Sequence, residues 1–495
     1  MKFTLAKKYF FFILSFSVLS VSAQETANKL SLDDVIKLAR DQSPEALLAK
    51  HRFRASYWQY RTYKAEFLPS LTLATTLPDL NRSISKITMP DGTDAFVDRK
   101  LINTSAELSL SQNVPFTGGS FFVKSGLQRI DLLNDSAPTS FLSSPVSIGY
   151  NQPLITFNSF KWEKKIEPLR YEEAKKRYIA SLEDVTLKAV SYFFDLALAQ
   201  LNLKIAKVNF SNNDTLYKIS KGRYELGKIA ENDLLQMEYT LLNSDAELNQ
   251  ARLDLEVKKF KLRSYLGFND KMNFDLDIPS QVPSLQIEVT KASEEANKNN
   301  PEIFQYDRQM IESERDMAKA KAESRFSANL YASYGLSQSA DDFGNVYKSP
   351  KDQERVMVGI QVPIIDWGLA KGKYKMAQSA FEVTKVTINQ AKIDFEQDLF
   401  LKVMQFNMQK KQVGISAKAD TISQNRYDVA KQRYYIGKID VTALNIALTD
   451  KDVAKRNYIS ALRNYWNYFY NIRRVTLFDF EKNNTLSAEF DKLIE

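Results

Sequence analysis

Residues 232–266 read NDLLQMEYTLLNSDAELNQARLDLEVKKFKLRSYL and place a leucine at every seventh position. The leucines of this series are Leu234, Leu241, Leu248, Leu255 and Leu262. An apolar repeat of seven residues is typical of a helix that packs in a coiled coil. Because the stretch contains neither glycine nor proline, it predicts one uninterrupted helix.

The preceding segment carries the same repeat over a greater length. Residues 159–226 hold a second heptad series, formed by Leu182, Ala189, Leu196, Leu203, Phe210, Tyr217 and Tyr224. As a helix this segment would span about 100 Å at 1.5 Å per residue. A helix of that length cannot bury its apolar stripe within one chain, so it needs a second hairpin and other subunits as partners.

The chain repeats its own pattern. RYELGKI at 223–229 returns as RYYIGKI at 433–439, an offset of 433 − 223 = 210 residues. Near the N-terminus SPE at 43–45 matches NPE at 300–302, an offset of 300 − 43 = 257. The difference, 257 − 210 = 47 residues, places an insertion in the first half between about residues 75 and 145. The sequence therefore predicts two helical hairpins, 159–266 and 369–473, in two related halves.

Between the short and long helices of each half the period changes to two. Residues 102–112, 146–152 and 356–362 alternate apolar and polar side chains, which fits membrane-barrel strands and soluble sandwich strands about equally well. The insertion predicts an extra hairpin around the turn at 115–119. Residues 78–100, 131–144 and 337–352 are polar and rich in Asp, Gly, Pro and Ser, which predicts outward-facing loops.

Composition limits the class of protein. Lysines 2, 7 and 8, a 13-residue apolar run at 9–21 and small residues before Gln24 predict a signal peptide at 1–23. The absence of cysteine excludes disulfides, thiol catalysis and Cys-ligated zinc. The single histidine, His51, has no second histidine with which to bind a metal. The net charge is +8, but lysines and arginines are interleaved with aspartates and glutamates along the predicted helices, so no nucleic-acid partner is predicted. The sequence indicates neither a pair of catalytic carboxylates facing each other across a cleft nor a phosphate-binding loop. We therefore predict that the protein is not an enzyme and has no cofactor.

The chain resembles the TolC family of outer-membrane efflux proteins in four motifs, which occur in the same order and in two copies. They are the Pro-Glu helix starts, AEFLPSL at 65–71, QPL at 152–154 and the Arg-Tyr-x-x-Gly turns. The resemblance covers essentially the whole mature chain. It implies an α+β membrane protein with long periplasmic coiled-coil hairpins and antiparallel strands that contribute to a shared trimeric outer-membrane β-barrel, usually four strands per subunit. Because of the insertion, the number of strands in this chain stays open.

The resemblance also implies function and partners. It implies a homotrimer embedded in outer-membrane lipid that docks to a periplasmic adaptor (membrane fusion) protein and an inner-membrane transporter, and that releases small molecules expelled by this tripartite pump. Two alternatives remain. One is the exit duct of a type I protein secretion system, and the other is a periplasmic structural or adaptor coiled-coil protein.

The repeat predicts the division of the chain. After the signal peptide, residues 24–280 form the first TolC-like repeat, with strands within 67–156 and the hairpin 159–266. Residues 281–480 form the second, with strands within 326–366 and the hairpin 369–473. Residues 481–495 form a C-terminal tail.

The two hairpin turns are the candidate functional sites. By resemblance, the residues predicted to contact the adaptor are Arg223, Tyr224, Gly227, Arg433 and Gly437. The structural alternative is a glycine that ends a helix in a left-handed conformation. The gate candidates are Asp233, Tyr434, Asp440 and Asn445. Asp233 and Tyr434 match two members of the family's closed-state network, but its Arg is Ile439 here, and the family's constriction carboxylates fall on Ala443 and Ile446.

Overall fold

The computed structural model of the chain describes residues 28–133, 139–268, 274–279 and 281–494. The predicted signal peptide lies outside the described residues. The helices are α1 (Leu32–Gln42), α2 (Pro44–Ala65), α3 (Ser159–Glu225), α4 (Glu231–Leu266), α5 (Val289–Asn299), α6 (Pro301–Glu323), α7 (Leu369–Tyr435), α8 (Val441–Thr476) and α9 (Phe490–Ile494). The strands are β1 (Asn28–Ser31), β2 (Ser70–Thr88), β3 (Asp94–Val114), β4 (Gly119–Leu132), β5 (Thr139–Pro153), β6 (Phe274–Asp277), β7 (Ser327–Ala340), β8 (Lys351–Gln361), β9 (Phe478–Asp479) and β10 (Asn484–Thr485).

Side-chain caps fix where the helices begin. The hydroxyl of Ser43 accepts a hydrogen bond from the backbone N–H of Ala46, and a proline follows it at the first position of α2. Asn300 caps α6 in the same way, again before a proline. A proline is tolerated there because the first helical N–H has no partner within the helix. The repeated Pro-Glu motif therefore marks the same local structure twice.

The long helices α3 and α7 each contain 67 residues, which corresponds to about 100 Å. At the end near the sheet the packed layer runs α2, α3, α6, α7. Toward the hairpin turns it runs α4, α3, α8, α7. One chain therefore supplies four helices side by side at each level, with α7 at one edge throughout.

The main core lies where α1, α5 and the end of α8 meet the middle of α3 and α7. Its largest fully buried side chains include Phe193, Phe194, Phe406 and Tyr465. A buried carboxylate, that of Glu183, is held there by two arginines from opposite ends of the chain, Arg40 and Arg473. This core joins the two halves of the repeat.

Six antiparallel strands form one sheet in the order β2-β3-β4-β5-β7-β8. The prediction of a loop at 78–100 is wrong, since β2 runs to Thr88 and β3 begins at Asp94. Polar and apolar side chains are mixed on both faces there, but the backbone ladder pairs continuously from Asp79 to Thr88. The predicted loops at 131–144 and 337–352 are also shorter than expected, because the flanking strands extend into them. Among the described residues, no helix is both long and apolar enough to cross a membrane.

Candidate functional site

The first hairpin turn is built by a glycine with a left-handed backbone. Gly227 has φ +64°. Its N–H donates to the carbonyl of Tyr224 at 2.8 Å, and the N–H of Lys228 donates to the carbonyl of Arg223 at 2.8 Å. These two bonds form a Schellman motif, which satisfies carbonyls at the end of α3. Gly227 therefore ends α3 in a left-handed conformation, as the structural alternative predicts.

The second turn repeats this geometry closely. Gly437 has φ +73°, and its N–H donates to the carbonyl of Tyr434 at 3.0 Å. The N–H of Lys438 donates to the carbonyl of Arg433 at 2.9 Å. A Cβ built on either turn glycine would meet no atom within 4 Å. Neither turn is therefore packed against the described chain, and both present free surface.

A cleft of about 930 Å³ lies between the two hairpin ends. It brings together six of the nine predicted site residues, namely Arg223, Asp233, Tyr434, Gly437, Asp440 and Asn445. The other three, Tyr224, Gly227 and Arg433, lie on the exposed surface of the turns. The sequence repeat thus predicts one contiguous region at the tip of the molecule.

Tyr434 joins the two hairpins. Its side chain is only 4% exposed, and it packs in a cluster with Leu216, Met237, Tyr427, Leu444 and Ala447. The guanidinium of Arg223 lies 5.7 Å from the centre of its ring, within the range of a cation–π interaction. This contact joins α3 and α7, and Ile439 packs against the same cluster.

The acidic candidates of the tip differ in their surroundings. Asp440 caps α8, since its carboxylate accepts a hydrogen bond from the backbone N–H of Ala443 at 2.8 Å. Asp233 lies exposed in the first turn of α4. Asn445 is half-buried in the wall of the cleft, and Ile446 beside it is 51% exposed. Ile446 and Ala443, at the positions matched to the constriction carboxylates, thus present apolar side chains.

Sequence reasoning missed a buried polar layer above the tip. The amide of Asn209 donates to the carboxylate of Asp452 at 2.8 Å, and both residues are buried. The ammonium of Lys451 lies 3.1 Å from the same carboxylate and 4.5 Å from the ring centre of Tyr427. Burial, together with nearby Tyr435, Asp452 and Asp428, raises the pKa of Tyr427 to about 12. In coiled coils such buried polar groups fix the register of the helices.

One signal in the sequence could have found this layer. Ala206, Asn209, Asn213, Leu216 and Ser220 follow the alternating spacing of three and four residues that defines a coiled-coil seam. All five are buried in α3. Polar residues inside such a seam indicate a polar partner on the facing helix.

The comparisons with known proteins agree with this architecture. Residues 123–268 match the family described as outer membrane efflux protein. The fold is similar to that of the CmeC outer membrane channel of Campylobacter jejuni, with a TM-score of 0.63 and 16% identity over 94% of this chain and 88% of that one. It is also similar to the outer membrane protein VceC of Vibrio cholerae, with a TM-score of 0.63 and 12% identity over 92% and 97% of the two chains. The outer-membrane channel OprN gives a TM-score of 0.65 and 16% identity over 90% and 89%. A search of the curated proteins finds no significant match.

The fold and the matched segment together define an outer-membrane channel with a large periplasmic helical part, not an enzyme. Residues 123–268 belong to the outer membrane efflux protein family, and the described chain as a whole has the fold of TolC-like outer-membrane channels. The predicted fold class, family and location are therefore confirmed.

Proposed function

We propose that three copies of this chain form the exit duct of a tripartite pump that expels small molecules. In this proposal a periplasmic adaptor docks on the hairpin turns and an inner-membrane transporter supplies the energy. Proteins of the family are generally trimeric and work with such partners. The observation that carries the proposal is the pair of unsatisfied apolar seams on the outermost helices of the layer.

The seam on α7 follows a strict heptad. Its side chains are each 53–67% exposed, and they are Leu401, Met408, Ile415, Ile422 and Val429 on α7 and Ile436 at the C-cap of the helix. They lie on one face over 35 residues (436 − 401), a length of about 52 Å. Burial of each such side chain would contribute about 1.5–3 kcal/mol. A face of this kind on a helix at the edge of a layer favours contact with another helix.

The seam on α4 lies at the opposite edge of the same layer. Its exposed side chains form two groups spaced by four and three residues, Leu235, Tyr239 and Leu242, and Leu253, Val257 and Phe260. Because α4 ends one side of the layer and α7 the other, identical copies can close a ring by placing α4 of one copy against α7 of the next. Three copies then give twelve helices at each level, which matches the family's tunnel.

Charged substitutions in the apolar seam of α7 test the proposed assembly. In Ile415→Glu/Ile422→Glu, each copy would have to bury two carboxylates without partners, which is far more costly than the apolar contact it replaces. We expect the detergent-extracted protein to run as a monomer with unchanged helix content by circular dichroism. The control is Thr421→Glu, which is exposed on the same helix but turned about 100° from the seam. A double variant that still runs as a trimer would contradict the proposed assembly.

The turns suggest the chemistry of the adaptor. Leu226 and Ile436 are among the most exposed apolar side chains of the chain, one in each turn. Lys228 and Lys438 lie exposed two residues beyond them. An adaptor that inserts an apolar side of its own hairpin and offers carboxylates beside it would complement both turns.

The gate is proposed to be apolar. Ile446 and Ala443 cannot ionise, so we expect the current through trimers in a planar bilayer to be insensitive to divalent cations. Ile446→Asp should create a ring of three carboxylates and make the current sensitive to block by such cations. The control is Val453→Asp, seven residues along the same face of α8 and exposed, which should have a smaller effect. Block of the unmodified trimer at similar cation concentrations would overturn the apolar gate.

A further inference from the structure

The sheet carries more strands than the resemblance implies, and both of its edges are unpaired within the chain. In the described residues β2 pairs with β3 and β8 pairs with β7, and these two strands end the sheet. We infer that three copies close a barrel of eighteen strands (3 × 6), in which β8 of each copy pairs with β2 of the next. The inference rests on the proposed trimer and defines its membrane interface.

All six strands share one apolar face. Residues paired across antiparallel strands point to the same side of a sheet. The pairs run from Leu71 on β2 to Leu110 on β3, then to Val123 on β4, Ile148 on β5 and Tyr334 on β7. The face reaches β8 through two further pairs, Ala332–Val356 and Leu330–Val358.

The opposite face is largely polar across the same strands. Thr72 pairs with Ser109, which pairs with Lys124, which pairs with Ser147. The ammonium of Lys124 also bonds the carboxylate of Glu107 on β3, at 2.8 Å. An apolar face toward lipid and a polar face toward a lumen is the pattern of a membrane barrel. Since β2 and β3 carry it like the rest, they belong to the wall.

The edges need partners of the same kind. In the hydrocarbon layer each unpaired backbone N–H or carbonyl costs several kcal/mol, so an open sheet edge is not tolerated. An even number of antiparallel strands makes β2 and β8 run in opposite directions. Identical copies can therefore join antiparallel at every interface, as in the rest of the sheet.

The strand number sets the width of the pore. Because barrel diameter grows roughly in proportion to the number of strands, eighteen strands give a lumen about 1.5 times as wide as the family's twelve. A barrel of about this size leaves an aqueous channel. The narrowest point of the duct then lies at the helical tip rather than in the membrane.

Cysteine cross-linking tests the edge pairing, because the chain has no cysteine of its own. Gly359 on β8 accepts a side chain freely, since a Cβ there meets no atom within 4 Å. Gly359→Cys is combined with Thr72→Cys or Ala74→Cys on β2, and in matched variants with Lys124→Cys or Gly126→Cys on β4. All five positions lie on the polar face.

After oxidation, at least one β2 combination should convert the monomer band on a denaturing gel without reductant into covalently linked trimer. A disulfide needs Cα atoms within about 7 Å, and β4 lies two strands, or about 10 Å, further from the edge. Cross-links to β4, or no cross-link to β2 in protein that still runs as a trimer, would overturn the eighteen-stranded barrel. A cysteine-free parent that runs as a monomer would instead overturn the proposed trimer, and this inference with it.

Discussion

Replacing both turn glycines with aspartate, Gly227→Asp/Gly437→Asp, should abolish export while the protein stays assembled in the outer membrane. A Cβ at either position would meet no atom within 4 Å. Aspartate is one of the few residues that adopts the left-handed conformation at modest cost, of the order of 1 kcal/mol per position. The fold should therefore survive. The turns would gain two carboxylates per subunit beside Lys228 and Lys438, which cancels the positive charge that the turns offer to the adaptor.

The measurement is growth inhibition by pump substrates in cells that depend on this channel. We expect sensitivity equal to that of cells without the channel, with normal amounts of trimer in the membrane fraction. Gly92→Asp is a matched control, because Gly92 also has a left-handed φ of +84° and open space around its Cβ. It lies in the β2–β3 turn, at the other end of the molecule. Normal export by the double variant would show that the turns only end helices.

The long helices could be predicted to within a few residues because their signal is continuous and local. A heptad repeat covers most of α3 and α4, and the Schellman turn at Gly227 depends on residues within five positions of it. The same turn at Gly437 gives the second hairpin by repetition. Sequence alone therefore places the candidate site at the tip.

The strands were harder to predict because part of their length is defined by backbone hydrogen bonding and not by an alternating side-chain pattern. β2 has 19 residues and β3 has 21, whereas a membrane strand needs about 9–11. The alternating pattern covers only the half nearest the helices. Beyond Asp79 apolar and polar residues share each face, as with Ile84 between Arg82 and Lys86, so the alternating pattern is lost and this half resembles a loop in sequence.

The buried polar contacts could not be predicted from local sequence at all. Asn209 and Asp452 lie 243 residues apart in the chain, so neither predicts the other without the order in which the helices pack. Arg473 and Glu183 are separated by 290 residues and join the two halves of the repeat in the same way. Such pairs depend on the tertiary arrangement, and only their burial reveals their importance.

Glu183→Ala should produce the largest loss of stability of any single polar substitution in the core. The side chain of Glu183 is 1% exposed and bonds the guanidinium of Arg40, and the guanidinium of Arg473 lies 3.4 Å from the same oxygen. Removing the carboxylate leaves Arg473, itself nearly buried, with Asp479 at 3.1 Å as its remaining carboxylate partner among the described residues. Loss of one partner from a buried ion network costs about 3–5 kcal/mol, because a charge stays buried without compensation.

For Glu183→Ala we expect a fall in the temperature at which the detergent-solubilised protein loses its native structure. Asp214→Ala is the control, because it breaks an exposed ion pair with Lys218 on α3, and such a pair contributes about 0.5 kcal/mol or less. Glu183→Gln, which keeps the shape and can still accept hydrogen bonds, should fall between the two. If all three variants melted together, the network would hold no more free energy than a surface pair. The junction of the two halves would then rest on apolar packing alone.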